Sequence, residues 1–256
     1  MIVSYAIQRK SHALICLTPL SDPKSVESWS SDEEMVLKTS TLLTKRQNDE
    51  VTFSLYNTID YSVDRWIQDK QYVPRLLVSA VVFTISYFIF SLAVRDPIPM
   101  IDELVISSVL AIVTWRAIAR RDSRSAVAQH RRHELKVRSS ERQSVIVDEL
   151  FALEEYLDAL ESYDTFTLAN ALCRVGDHAL PPLEHTLDEA TKGEITELLV
   201  LFLRRDAKQL HGLSSQIAAL YQSKSSSPKL AGQLYQQAMN KGIDLPLLAL
   251  AAVLQI

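Results

Sequence analysis

Residues 74–121 read PRLLVSAVVFTISYFIFSLAVRDPIPMIDELVISSVLAIVTWRAIARR, and the fold turns on how they are read. Leu76 to Val94 carries no charge and is rich in Val, Ile, Leu and Phe. Arg95-Asp96-Pro97-Ile98-Pro99 interrupts the run, and Met100 to Ala119 resumes it with Asp102, Glu103 and Arg116 inside. About 20 apolar residues at 1.5 Å rise cross a ~30 Å hydrocarbon layer. The first segment meets that length outright. The second reaches it only if Asp102 and Glu103 sit in one interface and Arg116 snorkels into the other. Pro97 and Pro99 fit a turn between the two, because proline lacks a backbone donor and disfavours helix in the residue before it. The expectation is a two-span transmembrane helical hairpin over residues 74–121.

Positive charge sets the expected orientation. Arg65, Lys70 and Arg75 precede the first segment, and Arg116, Arg120, Arg121, Arg124, Arg131 and Arg132 end or follow the second. The short loop holds Arg95 beside Asp96. The positive-inside rule then places both termini in the cytoplasm. The expected location is a membrane, of bacterial inner (cell) membrane type. Those six arginines, from Arg116 to Arg132, are the expected contacts to anionic lipid head groups, and Trp66, Tyr72 and Trp115 form an expected aromatic belt.

Span packing in lipid relies on small and polar residues. Ala80, Thr84, Tyr87 and Ser91 share one face of the first helix, and Ser107, Ala111, Thr114 and Ile118 one face of the second. These define the expected seam, with Arg116 turned away from it.

Upstream, residues 1–70 form a small segment of expected α+β character. Ile2–Ile7 and Ala13–Leu17 suit a strand pair. Ser31-Asp32-Glu33-Glu34 is a capping-box pattern that predicts a helix over about Asp32 to Lys45. Lys45 to Glu50 reads as a turn, and Leu55, Ile59, Val63 and Ile67 predict a helix from about Tyr56 to Asp69.

Downstream, no Gly or Pro occurs between Met100 and Gly176, which predicts one long helix over 122–164, basic near the membrane and acidic further out. Ile146, Leu150, Leu153, Leu157 and Leu160 alternate four and three apart. This is a candidate oligomer seam, or equally a stripe packed on its own domain. Residues 165–256 read as an all-α bundle. Thr165–Val175, Pro182–Ala190, Thr191 to about Leu210, Leu213–Gln222, Lys229–Asn240 and Leu245–Ile256 are its expected helices. The last is apolar nearly all round but too short to span, so it should be buried.

The chemistry-bearing residues fall short of a site. His130 and His133 are at helical spacing, but two arginines between them oppose a cation. Cys16 and Cys173 have no metal-type spacing and suggest a reducing compartment without disulfides. Glu154, Glu155, Asp158 and Glu161 read as a solvated helix face. No glycine precedes Gly176, which excludes a Gly-rich phosphate loop from the first two thirds of the chain and a GxxxG motif from the spans. The basic run lacks interleaved aromatics, so nucleic acid is not an expected partner. No catalytic, cofactor or metal site is implied. The expected role is a non-enzymatic integral membrane scaffold or assembly subunit that presents a cytoplasmic helical domain to protein partners or to copies of itself. The competing expectation is a subunit of an oligomeric channel or transporter.

Overall fold

Alternation along the first strand organises the chain outside the hairpin. In β1 (Ile2–Ile7), Ile2 and Ala6 point to one side and Tyr5 and Ile7 to the other, and both sides are buried. A strand buried on both faces needs a layer on each, and this one has them. The computed structural model describes residues 1–10, 12–29, 33–93, 101–183 and 187–255. It is mainly helical, with a small sheet of order β2-β1-β3-β4. β2 (Ile15–Leu17) runs antiparallel to β1, with Tyr5 opposite Leu17, as the sequence predicts. β3 (Met35–Thr39) is parallel to β1, with Ile2 opposite Met35. β4 (Gln143–Ile146) is parallel to β3, with Val36 opposite Gln143.

β3 corrects the expected helix over Asp32–Lys45. Ser31 and Asp32 lie outside the described residues, and the Glu34 carbonyl accepts the Ile2 N–H at 2.9 Å, already in sheet register. Met35, Leu37 and Thr39 are buried in alternation, period two rather than 3.6. A capping pattern starts a helix only where a helical stripe follows it. The real cap is one segment later. Thr44 and Gln47 form a reciprocal capping box, so α2 (Lys45–Lys70) starts where a turn was expected. Its buried stripe is Val51, Leu55, Ile59, Val63 and Ile67.

The chain then passes almost without interruption into α3 (Tyr72–Ala93). The Gln71 N–H still donates to the Ile67 carbonyl, and the Arg75 N–H to that of Gln71. α4 (Ile101–Ser123) returns antiparallel to α3, and α5 (Ala126–Ser140) packs back on α2. Residues 94–100, where the sequence predicts the turn with Arg95, Pro97 and Pro99, lie outside the described residues. The expected continuous helix over 122–164 does not form. Ser125 caps α5 through the Ala128 N–H, then β4 and α6 (Glu149–Glu161) follow. A serine cap and a β-branched pair, Val145-Ile146, suffice to break a run that contains neither Gly nor Pro.

α7 (Thr165–Leu172), α8 (Glu189–Asp206), α9 (Lys208–Gln222), α10 (Pro228–Lys241) and α11 (Leu245–Gln255) complete the chain. Asp164, Ser227 and Asp244 accept the first N–H groups of α7, α10 and α11. Gly242 ends α10 in the left-handed region, where a Cβ would be strained. The expected helix over Pro182–Ala190 falls partly on residues 184–186, outside the described residues. The helix expected to reach Leu210 breaks at Ala207.

Two apolar clusters flank the sheet. Ile2, Ala6, Cys16, Met35 and Leu37 pack with Trp29, α2 and α5. Tyr5, Ile7, Ile15 and Leu17 pack with α6 to α11. The result is three layers: helices, sheet, helices. The expected boundaries at 70, 122 and 164 do not follow these cores. β4 joins the N-terminal strands, and α2 to α5 form one long insertion between β3 and β4. Leu150, Leu153, Leu157 and Leu160 are completely buried in the chain's own core, and Ile146 belongs to β4. Those four leucines cannot also be a seam between subunits.

Candidate membrane interface

The hairpin is apolar on its outside. Leu77, Val81, Ile85, Phe88 and Leu92 of α3 are exposed, as are Val105, Val109, Ile112 and Val113 of α4. Exposed apolar patches on this scale mark a surface that something apolar covers. Tyr72–Leu92 is long and apolar enough to cross a membrane, and only 11% of its apolar window is buried by the rest of the chain. Among the described residues it is the one helix that qualifies. Every eighteen-residue stretch of α4 holds at least three charged residues, so α4 does not qualify by itself.

The α3–α4 seam is set at its base. Arg75, whose side chain is 3% exposed, turns inward to Asp122 at 3.0 Å and lies over the Trp115 ring, 5.6 Å from its centroid. Its Nη2 donates to the carbonyls of Ile67 and Gln68. Tyr72 meets Trp115 edge-on at 5.4 Å. Trp66 is not beside them; it packs on the cluster of α2 and α5. On α4 the inward positions are Glu103, Ser107, Ala111, Thr114 and Ile118, all buried or half-buried. On α3 they are Arg75, Ser79, Val82 and Ser86. The expected face of α3 is corrected accordingly: Ala80, Thr84 and Ser91 are exposed, and Tyr87 is half-buried, stacked on Phe83. The reason is Arg75. Read as an outer flank, it is in fact the residue that fixes the rotation of the helix. The hydroxyls of Ser79 and Ser107 and one carboxylate oxygen of Glu103 are buried in the seam without a hydrogen-bond partner.

The arginines divide into two groups. Arg131 donates to the carbonyls of Val26 and Trp29 and pairs with Glu134 at 2.9 Å. Arg132 pairs with Asp64, which also accepts the Ser123 hydroxyl, and Lys136 pairs with Asp60 at 2.7 Å. Asp60 and Asp64 are one turn apart on α2 and face α5. These contacts replace the expected lipid contacts of Arg131 and Arg132. Arg116, Arg120, Arg121 and Arg124 are exposed, and none has an ion-pair partner among the described residues.

The chemistry-bearing residues singled out in the sequence lie as follows. Among the described residues no group of His, Cys, Asp and Glu could hold a metal. His130 and His133 are exposed on α5. Burial pushes the Cys16 thiol up to about 12 and the Cys173 thiol to about 11, far from a reactive thiolate. Of the four acids of α6 expected on a solvated face, Glu155 is exposed and the other three are engaged. Glu154 accepts the Gln8 N–H and the Ser40 hydroxyl, Asp158 pairs with Lys10, and Glu161 with Arg9. Arg9 reaches on to Asp244, so these residues clamp the β1–β2 turn onto α6 and α11. Their spacing of four and three showed which acids share a face, but the sequence could not show what they face. Comparison with protein-family models, with curated proteins and with solved structures finds no match.

Proposed function

We propose that this chain is a non-enzymatic integral membrane scaffold or assembly subunit, anchored by a two-span hairpin, whose layered domain is held at the cytoplasmic surface for protein partners. The observation that carries the reading is the uncovered apolar coat of α3 and α4. A core helix of a soluble protein is mostly buried, and α3 is not. α4 is one residue longer than α3 and packs along it. If α3 lies in lipid, α4 shares that layer. Its charges then sit at its two ends, with Arg116 one turn from the base. The aromatic pair Tyr72–Trp115 and the four unpaired arginines suit one interface. Away from the hairpin, Phe166 and Met239 are exposed and Phe166 stacks edge-on against Tyr235, an apolar surface suited to a protein partner.

Alkaline carbonate should leave the full chain in the membrane. A cysteine replacing Ile98 should react with an impermeant maleimide in intact cells, while reporters at either terminus stay protected. Extraction by carbonate, or protection of residue 98 with exposed termini, would sink the model. The second reading, a subunit of a channel or transporter, is favoured by one feature only: the unpartnered Glu103, Ser79 and Ser107. It requires ion flux from reconstituted vesicles that Glu103→Gln abolishes.

A further inference from the structure

Several basic side chains that flank the hairpin are spoken for. Arg75 has Asp122, Arg132 has Asp64, Lys136 has Asp60, and Arg131 has Glu134 and two carbonyls. What remains at the base of α4 is Arg116, Arg120, Arg121 and Arg124, exposed and without a counter-charge among the described residues. All four are arginine, with no lysine between them. Arg116 and Arg120 are one turn apart. Arg121 and Arg124 are three apart, and the helical turn still holds there, since the Arg124 N–H donates to the Arg121 carbonyl at 3.1 Å. Residues at these spacings have Cβ atoms about 5–6 Å apart, so each pair can close on one ligand.

Guanidinium forks take two oxygens each, in plane. A phosphodiester head group has two free oxygens, which one fork saturates. A phosphomonoester has three, and carries about −1.5 to −2 charge, enough for two forks. Resting on the membrane reading above, we propose that these arginines form two clamps for the phosphomonoester head groups of phosphatidic-acid-type lipids. The clamps would prefer that head group over a phosphodiester lipid at equal surface charge.

The test uses the full chain reconstituted in phosphatidylcholine vesicles doped with either fluorescent phosphatidic acid or fluorescent phosphatidylglycerol at matched surface charge. Lipid at the protein is read by energy transfer from Trp115. The expected result is several-fold more transfer to phosphatidic acid. Replacing all four arginines by Lys should remove that preference while leaving salt-dependent enrichment of both lipids. Each Arg→Gln change should weaken enrichment about five-fold, near 1 kcal/mol per basic residue at the surface. Equal transfer to the two lipids, or a preference that survives the Arg→Lys change, overturns the inference. Carbonate extraction of the same vesicles separates the two failures. If the chain is extracted, the membrane reading has failed. If it is retained and shows no preference, only the clamp has.

Discussion

α3 and α11 are both apolar nearly all round, and they end in opposite surroundings. α11 has eleven residues, about 16 Å of helix, and Leu248, Ala249, Leu250, Ala251 and Ala252 are completely buried. α3 has 22 residues, about 33 Å, and most of its apolar side chains are exposed. Composition alone does not separate a buried bundle helix from an apolar helix that the chain leaves exposed. Length does, together with whether other helices surround it.

The sharpest way to break that comparison is to remove equal bulk from each helix. Leu250→Ala should cost about 2–5 kcal/mol, because it opens a cavity in a closed core. Ile85→Ala should change the stability of the domain by less than about 0.5 kcal/mol. Urea unfolding of the full chain in mild detergent, followed by circular dichroism, measures both. Equal losses would mean that α3 is covered as α11 is.

Charges sharpen the same contrast. The Arg75–Asp122 pair is nearly sealed within the hairpin base, whereas Lys136–Asp60 is half open to solvent. Removing one partner of a buried pair strands the other, so Arg75→Gln should cost about 3–5 kcal/mol. Lys136→Gln should cost about 0–1 kcal/mol. Limited trypsin cleavage after Arg124, in the α4–α5 turn, reports loosening of the base. Similar cleavage rates in the two variants would remove Arg75 from its role as the pin of the hairpin.

The seam geometry follows from that pin. Counting eleven residues from each partner pairs Ser86 with Ala111. Cysteines at these two positions should cross-link, and a pair at Thr84 and Ala111 should not. Ala111→Leu should cost about 1–3 kcal/mol through overpacking, and Val109→Leu, on the exposed side, much less. Cys16 and Cys173 are buried and should not interfere. A bond from Thr84 rather than Ser86 would restore the face expected from small residues alone.

How much of this was legible in the sequence differs by region for a physical reason. The hairpin segments, the β1–β2 pair and the burial of α11 follow from local pattern, because run length and periodicity are local properties. β3 and β4 were hidden because a four- or five-residue strand is defined by its partner, and β4's partner lies more than a hundred residues away. The layer that the leucines of α6 pack on, β1, β2 and the later helices, is equally remote in sequence, so the stripe fitted a subunit seam and the chain's own core alike. Likewise, the run of arginines from Arg116 to Arg132 looks uniform in sequence. Only their partners divide it into paired and unpaired members: Asp64 on α2 for Arg132, and Glu134 with the Val26 and Trp29 carbonyls for Arg131.

The smallest effect expected concerns Glu154, the buried acid on the core side that Asp122 matches on the hairpin side. Asp122 has a cation; among the described residues Glu154 has the Ser40 hydroxyl, at 2.5 Å, and the Gln8 N–H, at 2.7 Å, and no cation. Burial raises its carboxyl above the ordinary glutamate range, and these two hydrogen bonds offset that only in part. A raised value in the folded state means that folding binds the proton more tightly than the unfolded chain does. The ionised form is therefore a net cost. It is absent below the unfolded value near 4.5 and fully present once the pH has passed the raised one. Glu154→Gln keeps the shape and can keep both hydrogen bonds while removing the charge. It should stabilise the chain at pH 7, read as a rise in Tm. At pH 4 the gain should vanish. Thermal melts of the two proteins at both pH values decide it. A loss of stability at pH 7 would show that the carboxylate is held charged, and that the clamp on the β1–β2 turn depends on that charge as the hairpin base depends on Asp122.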